Sequence, residues 1–146
     1  MIAAADASPE LSRAVLVECL REFPHVRLTV SGHCMSPAVR EGEVVTLVSA
    51  ARRRPRLGDV VLAATAEGLR LHRLLWTSPL GGWRIKADAA PTWDAAVSGA
   101  DIIATAIRVQ QGDDARPTRS LARWLGSVLA VVRAHVRSRA LRRLAV

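Results

Sequence analysis

The feature that most restricts this chain's fold is the texture of residues 26–109. Short runs rich in Val, Ile and Leu, at 26–30, 44–48, 60–64, 69–76, 83–86 and 102–109, alternate with turn-forming stretches. Those breaks are Arg52-Arg53-Arg54-Pro55, Gly58-Asp59, Glu67-Gly68, Gly81-Gly82 and Ala90-Pro91. Each run is too short for an ordinary helix, and β-branched side chains pack well on a pleated surface. The pattern predicts a mainly β body of about 80 residues, and an α+β protein once its flanks are included.

Both flanks carry helical spacing. Ser8-Pro9-Glu10 reads as an N-cap followed by proline at the first helical position; Leu11, Ala14, Val15, Glu18 and Cys19 then share a face, with Cys19 expected in the helix core, and Pro24 stops the helix. Beyond a polar stretch containing Gly112, Asp113, Asp114 and Pro117, Ser120 opens a second helix. There Leu121, Leu125, Val128, Val132 and Val136 form one face, Trp124 and Leu129 border it, and Arg123, Arg133 and Arg137 lie opposite. The expected division is an N-terminal helix at 1–25, a β domain at 26–110, a linker at 111–119 and a basic amphipathic helix at 120–146. Its apolar face has three candidate resting places: the β body, a partner or a membrane interface.

Charge narrows the choice of partner. From Arg116 onward there are eight arginines and no acid; setting those eight apart from the 21 basic residues leaves 13, matched by 13 acids, so the net +8 sits on the tail and the body is neutral. An anionic lipid surface, a nucleic acid or an acidic protein would complement that tail. Stacking aromatics are sparse, with one Phe and no Tyr, and no nucleic-acid motif is visible, which disfavours nucleic acid and favours a membrane surface. The longest apolar run, 124–132, falls short of the roughly 18 to 20 residues that span a bilayer. The first residues lack a signal-peptide pattern, and two cysteines are too few for a disulfide framework. These features predict a cytoplasmic protein, peripheral at a membrane.

The chemistry is concentrated in Val30-Ser31-Gly32-His33-Cys34-Met35-Ser36-Pro37 and in the segments that follow. Glycine before Cys34 lets the chain turn sharply, apolar Met35 anchors the turn, and Pro37 stiffens its exit. This stretch resembles the nucleophile box of signal peptidases and LexA-type self-cleaving repressors, Ser-Gly-x-Ser-Met-x-Pro followed by Gly-Asp. Cys34 takes the serine position and Gly42-Glu43 the Gly-Asp position. Gly58-Asp59-Val60-Val61 is similar to the family's next strand opening, and Leu71-His72-Arg73-Leu74-Leu75 to the segment carrying its general base, in the branch that uses histidine before arginine. The sole lysine, Lys86, lies in a different segment, so a lysine dyad has no base at the usual place. Lys86-Ala87-Asp88 and Asp94 resemble that branch's Lys-Gly-Asp and its second aspartate six positions on, with Ala87 in place of glycine. The resemblance covers residues 30–107 in four ordered boxes. It implies a LexA-like or signal-peptidase-like β-rich catalytic domain flanked by the two helices, Cys34 as nucleophile, His72 as base, Asp94 as the orienting acid and Asp88 as its alternate. The turn of Ser31, Gly32, His33 and Met35 would form the oxyanion and substrate-binding wall. Neither a metal nor a cofactor is implied.

The chemistry is coherent without the family. A free thiol, with a pKa near ~8.5, is mostly protonated at neutral pH, and a histidine within reach takes its proton and later returns it to the leaving amine. A carboxylate on the far ring nitrogen fixes the tautomer. The expected activity is that of a cysteine endopeptidase acting on a dedicated leader or precursor peptide, bound as an added β-strand, with self-cleavage placed in the linker. Two alternatives stand beside it: a catalytically inactive peptide-binding homologue, and an acyl or peptidyl transferase working through a thioester. A metal site from Cys34, His33, His72 and His25 lacks paired-ligand spacing.

Overall fold

Six of the apolar runs become antiparallel strands in the computed structural model, which describes residues 9–80 and 82–144. They are β1 (Val26–Thr29), β2 (Val44–Ser49), β3 (Val60–Thr65), β4 (Gly68–Trp76), β5 (Gly82–Lys86) and β7 (Ile102–Gln111). Two more strands, β6 (Val97–Ser98) and β8 (Asp114–Pro117), were not foreseen. Among the described residues the sheet has eight strands in the order β1-β2-β7-β3-β4-β5-β6, with β8 on β7, and two helices, α1 (Pro9–Glu22) and α2 (Leu121–Leu144). The arrangement is a mainly antiparallel, β-rich α+β fold. No helix among the described residues is long and apolar enough to cross a membrane.

β3 explains why the sheet holds together. It lies between β7 and β4, so both its edges are paired, and both its faces are buried in core, which is why Val60, Val61, Leu62 and Ala63 form an unbroken apolar run. Alternation sends Val60 and Leu62 into one core, with Val45, Leu47, Ala104, Ala106, Met35 and Val39, and Val61 and Ala63 into a second with Leu74, Ile85 and Ile102.

α1 closes the first core with Leu16 and Leu20, one turn apart and each worth ~1.5–3 kcal/mol of burial. This corrects the expected face: Ala14 and Val15 are exposed and Cys19 is only half-buried. Helical period fixes spacing but not phase, and the two larger leucines reach the sheet where Ala14 and Val15 would not. Ser8, expected as the N-cap, the side chain of Leu11 and Gly81 lie outside the described residues.

The expected linker is a second correction. A turn at Gly112 folds 114–117 back on β7 as β8, with Gln110 opposite Ala115 and Arg108 opposite Pro117. Its side chains are mostly exposed, so no apolar alternation marks it. Backbone pairing holds it, on the stretch of β7 beyond β3. Thr118 follows, its hydroxyl donating to the Ala106 carbonyl. Such a paired segment is a poor site for self-cleavage, which needs a free extended strand.

The two Gly-acid pairs are built alike. Gly42 and Gly58 have φ of +81° and +85°, the left-handed region that a side chain resists. The buried carboxylate after each accepts the N–H three residues back, Arg40 to Glu43 at 2.8 Å and Arg56 to Asp59 at 2.9 Å. Each also meets an arginine from the β8 segment, Arg116 within the strand on Glu43 at 2.8 Å and Arg119 just beyond it near Asp59 at 3.7 Å. Burial works to raise the Glu43 carboxyl, but the Arg40 N–H and the Arg116 guanidinium outweigh it and hold the group below its usual range.

α2 docks by a different face than its apolar pattern suggests. Ser120 caps it, its hydroxyl accepting from the Arg123 N–H at 3.2 Å. The indole N–H of Trp124 donates to the Leu75 carbonyl at 3.1 Å, and Ser127 is buried, whereas Leu121, Leu125, Leu129, Val132 and Val136 face outward.

Candidate active site

The Cys34 turn is pinned at both ends. Val30 N–H donates to the Glu43 carbonyl and Gly42 N–H to the Val30 carbonyl, each at 2.8 Å, while Met35 and Val39 are sunk in the first core. Inside the turn, Ser36 N–H reaches the His33 carbonyl at 3.0 Å and Val39 N–H the Met35 carbonyl at 2.9 Å. Gly32 N–H donates to Glu41 at 3.3 Å, and the exposed His33 lies 3.1 Å from the same carboxylate. Ser31 is exposed. Met35, expected in the substrate wall, is instead a core anchor, because an unbranched apolar chain at that point of the turn falls onto the sheet.

Cys34 itself lies beside β4. Its thiol donates to the Leu71 carbonyl at 3.9 Å, and its own carbonyl accepts Ala89 N–H at 3.0 Å. Leu74 N–H is bound to Asp59, so by antiparallel alternation Leu71 turns its carbonyl away from β3. β5 pairs with β4 only from Arg73 onward, which leaves the edge from Gly68 to His72 without a strand neighbour among the described residues. The thiol therefore sits at an open sheet edge, one residue along the backbone from His72.

His72 lies opposite Val61 in the β3–β4 ladder and is largely buried. Its Nδ1 is hydrogen-bonded to the Asp94 carboxylate, and Asp94 is held in turn by its N–H on the Ile85 carbonyl at 2.9 Å. A carboxylate only accepts, so Nδ1 carries a ring proton, and in the neutral form of the ring Nε2 is the acceptor. His72 and Asp94 line a cleft of about 380 Å³ whose wall includes Ala64, Ala66, Ala95 and Val97. Cys34 is not part of that wall.

Asp88 is committed elsewhere. Both its oxygens are taken by Arg73, whose Nη1 also donates to the carbonyls of Gly58 at 2.8 Å and Thr118 at 3.3 Å. The arginine beside His72 thus ties three segments together, a role the sequence reading did not assign; an arginine inside an apolar strand, with an acid on the next strand's exit, was the available signal. Lys86 lies opposite Arg73 and is buried, its amine donating to the Ala87 carbonyl at 2.9 Å. Burial pushes its pKa down, Asp88 raises it, Arg73 lowers it and Asp94 raises it, for a net decrease.

The arrangement thus joins His72 to Asp94, brings Cys34 to the neighbouring peptide, and separates Asp88 and Met35 from that group. Among the described residues no three His, Cys, Asp or Glu side chains converge as a metal site would need. No protein-family model, no curated protein and no solved structure matches the chain.

Proposed function

We propose that the chain is a cysteine endopeptidase of signal-peptidase-like or LexA-like architecture, with Cys34 as nucleophile, His72 as base and Asp94 as its orienting acid. The observation that carries this reading is the Asp94 carboxylate on Nδ1 of His72, beside the open edge of β4 that Cys34 approaches. A peptide added to that edge as a strand would present its carbonyl to the thiol. Sγ–H passes its proton to Nε2 of His72 and the thiolate adds to the carbonyl carbon. The C–N bond then breaks as the amine takes that proton, and water hydrolyses the thioester. Among the described residues the N–H of Cys34 serves none of the turn's hydrogen bonds, which suits an oxyanion donor. The substrate class is a peptide, and a dedicated leader or precursor fits best.

The deciding experiment compares the two thiols. Iodoacetamide at pH 6 to 7 is expected to label Cys34 at least about tenfold faster than Cys19, and His72→Ala to abolish the difference. Equal slow labelling sinks the protease. A second reading, an inactive peptide-binding homologue, is favoured by one observation: Cys34 packs against the first core and is outside the His72 cleft. Peptide binding without cleavage, together with slow labelling, would select it.

A further inference from the structure

We propose that the outward face of α2 rests on an anionic lipid surface. The helix uses one side for the body, through the Trp124 indole and buried Ser127, and this leaves an apolar stripe on the other. Leu121, Leu125, Leu129, Val132 and Val136 are 45–59% exposed, at spacings that place them on one side of a 24-residue helix about 36 Å long. Arg133 and Arg137, from the arginine side of the helix, lie about 40° and about 80° round from Leu129; both are exposed and make no ion pair among the described residues. No acid follows Asp114 in the sequence.

Charge chooses among the occupants. A second copy seated on this face would cover the stripe but bring arginine against arginine, with no carboxylate on either helix to compensate. An anionic bilayer satisfies both features: the aliphatic chains enter the acyl boundary, and the guanidinium groups stay at the phosphates. The helix lies on such a surface, since it is not apolar enough to cross one. Two further exposed apolar side chains lie at and beyond the end of the strand that holds Trp124. Trp76, 59% exposed, follows directly on the Leu75 whose carbonyl holds Trp124, and Leu80, 96% exposed, is on the loop leaving the same strand. An indole at that position suits a headgroup boundary.

The test is flotation of the full chain with vesicles of phosphatidylcholine alone and with roughly 30% phosphatidylglycerol added, at low salt. At least about tenfold more protein is expected on the anionic vesicles, falling as salt rises. Leu125→Glu with Leu129→Glu is expected to lose at least about tenfold of that binding with an unchanged melting temperature, since both side chains already face water; Leu125→Ser with Leu129→Ser gives the same direction if the glutamates disturb folding. Arg133→Gln with Arg137→Gln is expected to lower binding and flatten its salt dependence. Equal binding to both vesicles, no binding to either, or unchanged binding by the stripe variants overturns the proposal. A wild-type dimer in light scattering that the stripe variants dissolve, without vesicle binding, assigns the face to a second copy instead.

Discussion

Arg73 and Asp88 meet in a two-point contact, Nε to Oδ1 at 2.8 Å and Nη2 to Oδ2 at 2.7 Å, with the guanidinium wholly removed from water. Planar, bidentate pairing of this kind is strong and directional. It occupies Asp88 fully, while Asp94 holds His72, so the two aspartates of one short segment do different work.

Their neutral variants should separate. Asp88→Asn strands a buried guanidinium and is expected to cost ~3–5 kcal/mol, lowering the melting temperature by roughly 10 °C. Asp94→Asn removes a partner that is 30% exposed and should cost only ~1 kcal/mol; under the proposed mechanism it would also slow peptide cleavage by about 10²–10⁴. Melting curves beside cleavage rates read both, and a reversed order would show that the roles are exchanged.

Glu43 supplies a pH dependence of known sign. Its folded pKa lies below the ordinary value of 4.5. The stabilisation is therefore complete above the unfolded pKa and disappears as pH falls through the depressed folded one. Glu43→Gln should lose ~1–3 kcal/mol at pH 7 and converge with the parent chain in strong acid, as followed by urea midpoints across that range.

Lys86 has the opposite effect. Burial depresses its folded pKa below 10.5, so between the two values the unfolded chain binds more protons and stability rises with pH. The cost of the charged amine is present in full below the folded pKa and is relieved as pH climbs toward 10.5. Lys86→Met is expected to be more stable than the parent at pH 7 by ~1 kcal/mol or more, with the gap narrowing toward pH 10 in matched denaturation curves.

What the sequence disclosed follows from where side chains are buried. β3 was visible because both its faces are covered and every residue in Val60–Thr65 is apolar, small or Thr. β8 was hidden because its stabilisation comes from backbone pairing and from the ion pairs of Arg116 within it and Arg119 beyond it, which leave no hydrophobic rhythm. The α2 stripe was visible as a stripe, but not which side meets the body, since Trp124 and a buried serine carry the docking. Within the site, turn chemistry and the spacing of Asp88 and Asp94 were legible. Which aspartate faces His72 depends on Arg73 claiming the other one, a competition that only three dimensions display.

The clamping of β8 has a mechanical outcome for the tail. Arg116 within β8 holds Glu43, Arg119 just beyond it lies 3.7 Å from Asp59, and the Thr118 carbonyl between them is bonded to Arg73. A displacement of the helix would therefore be passed to those two turns and to the arginine next to His72, so the tail is tied by side-chain contacts to the frame that holds the imidazole.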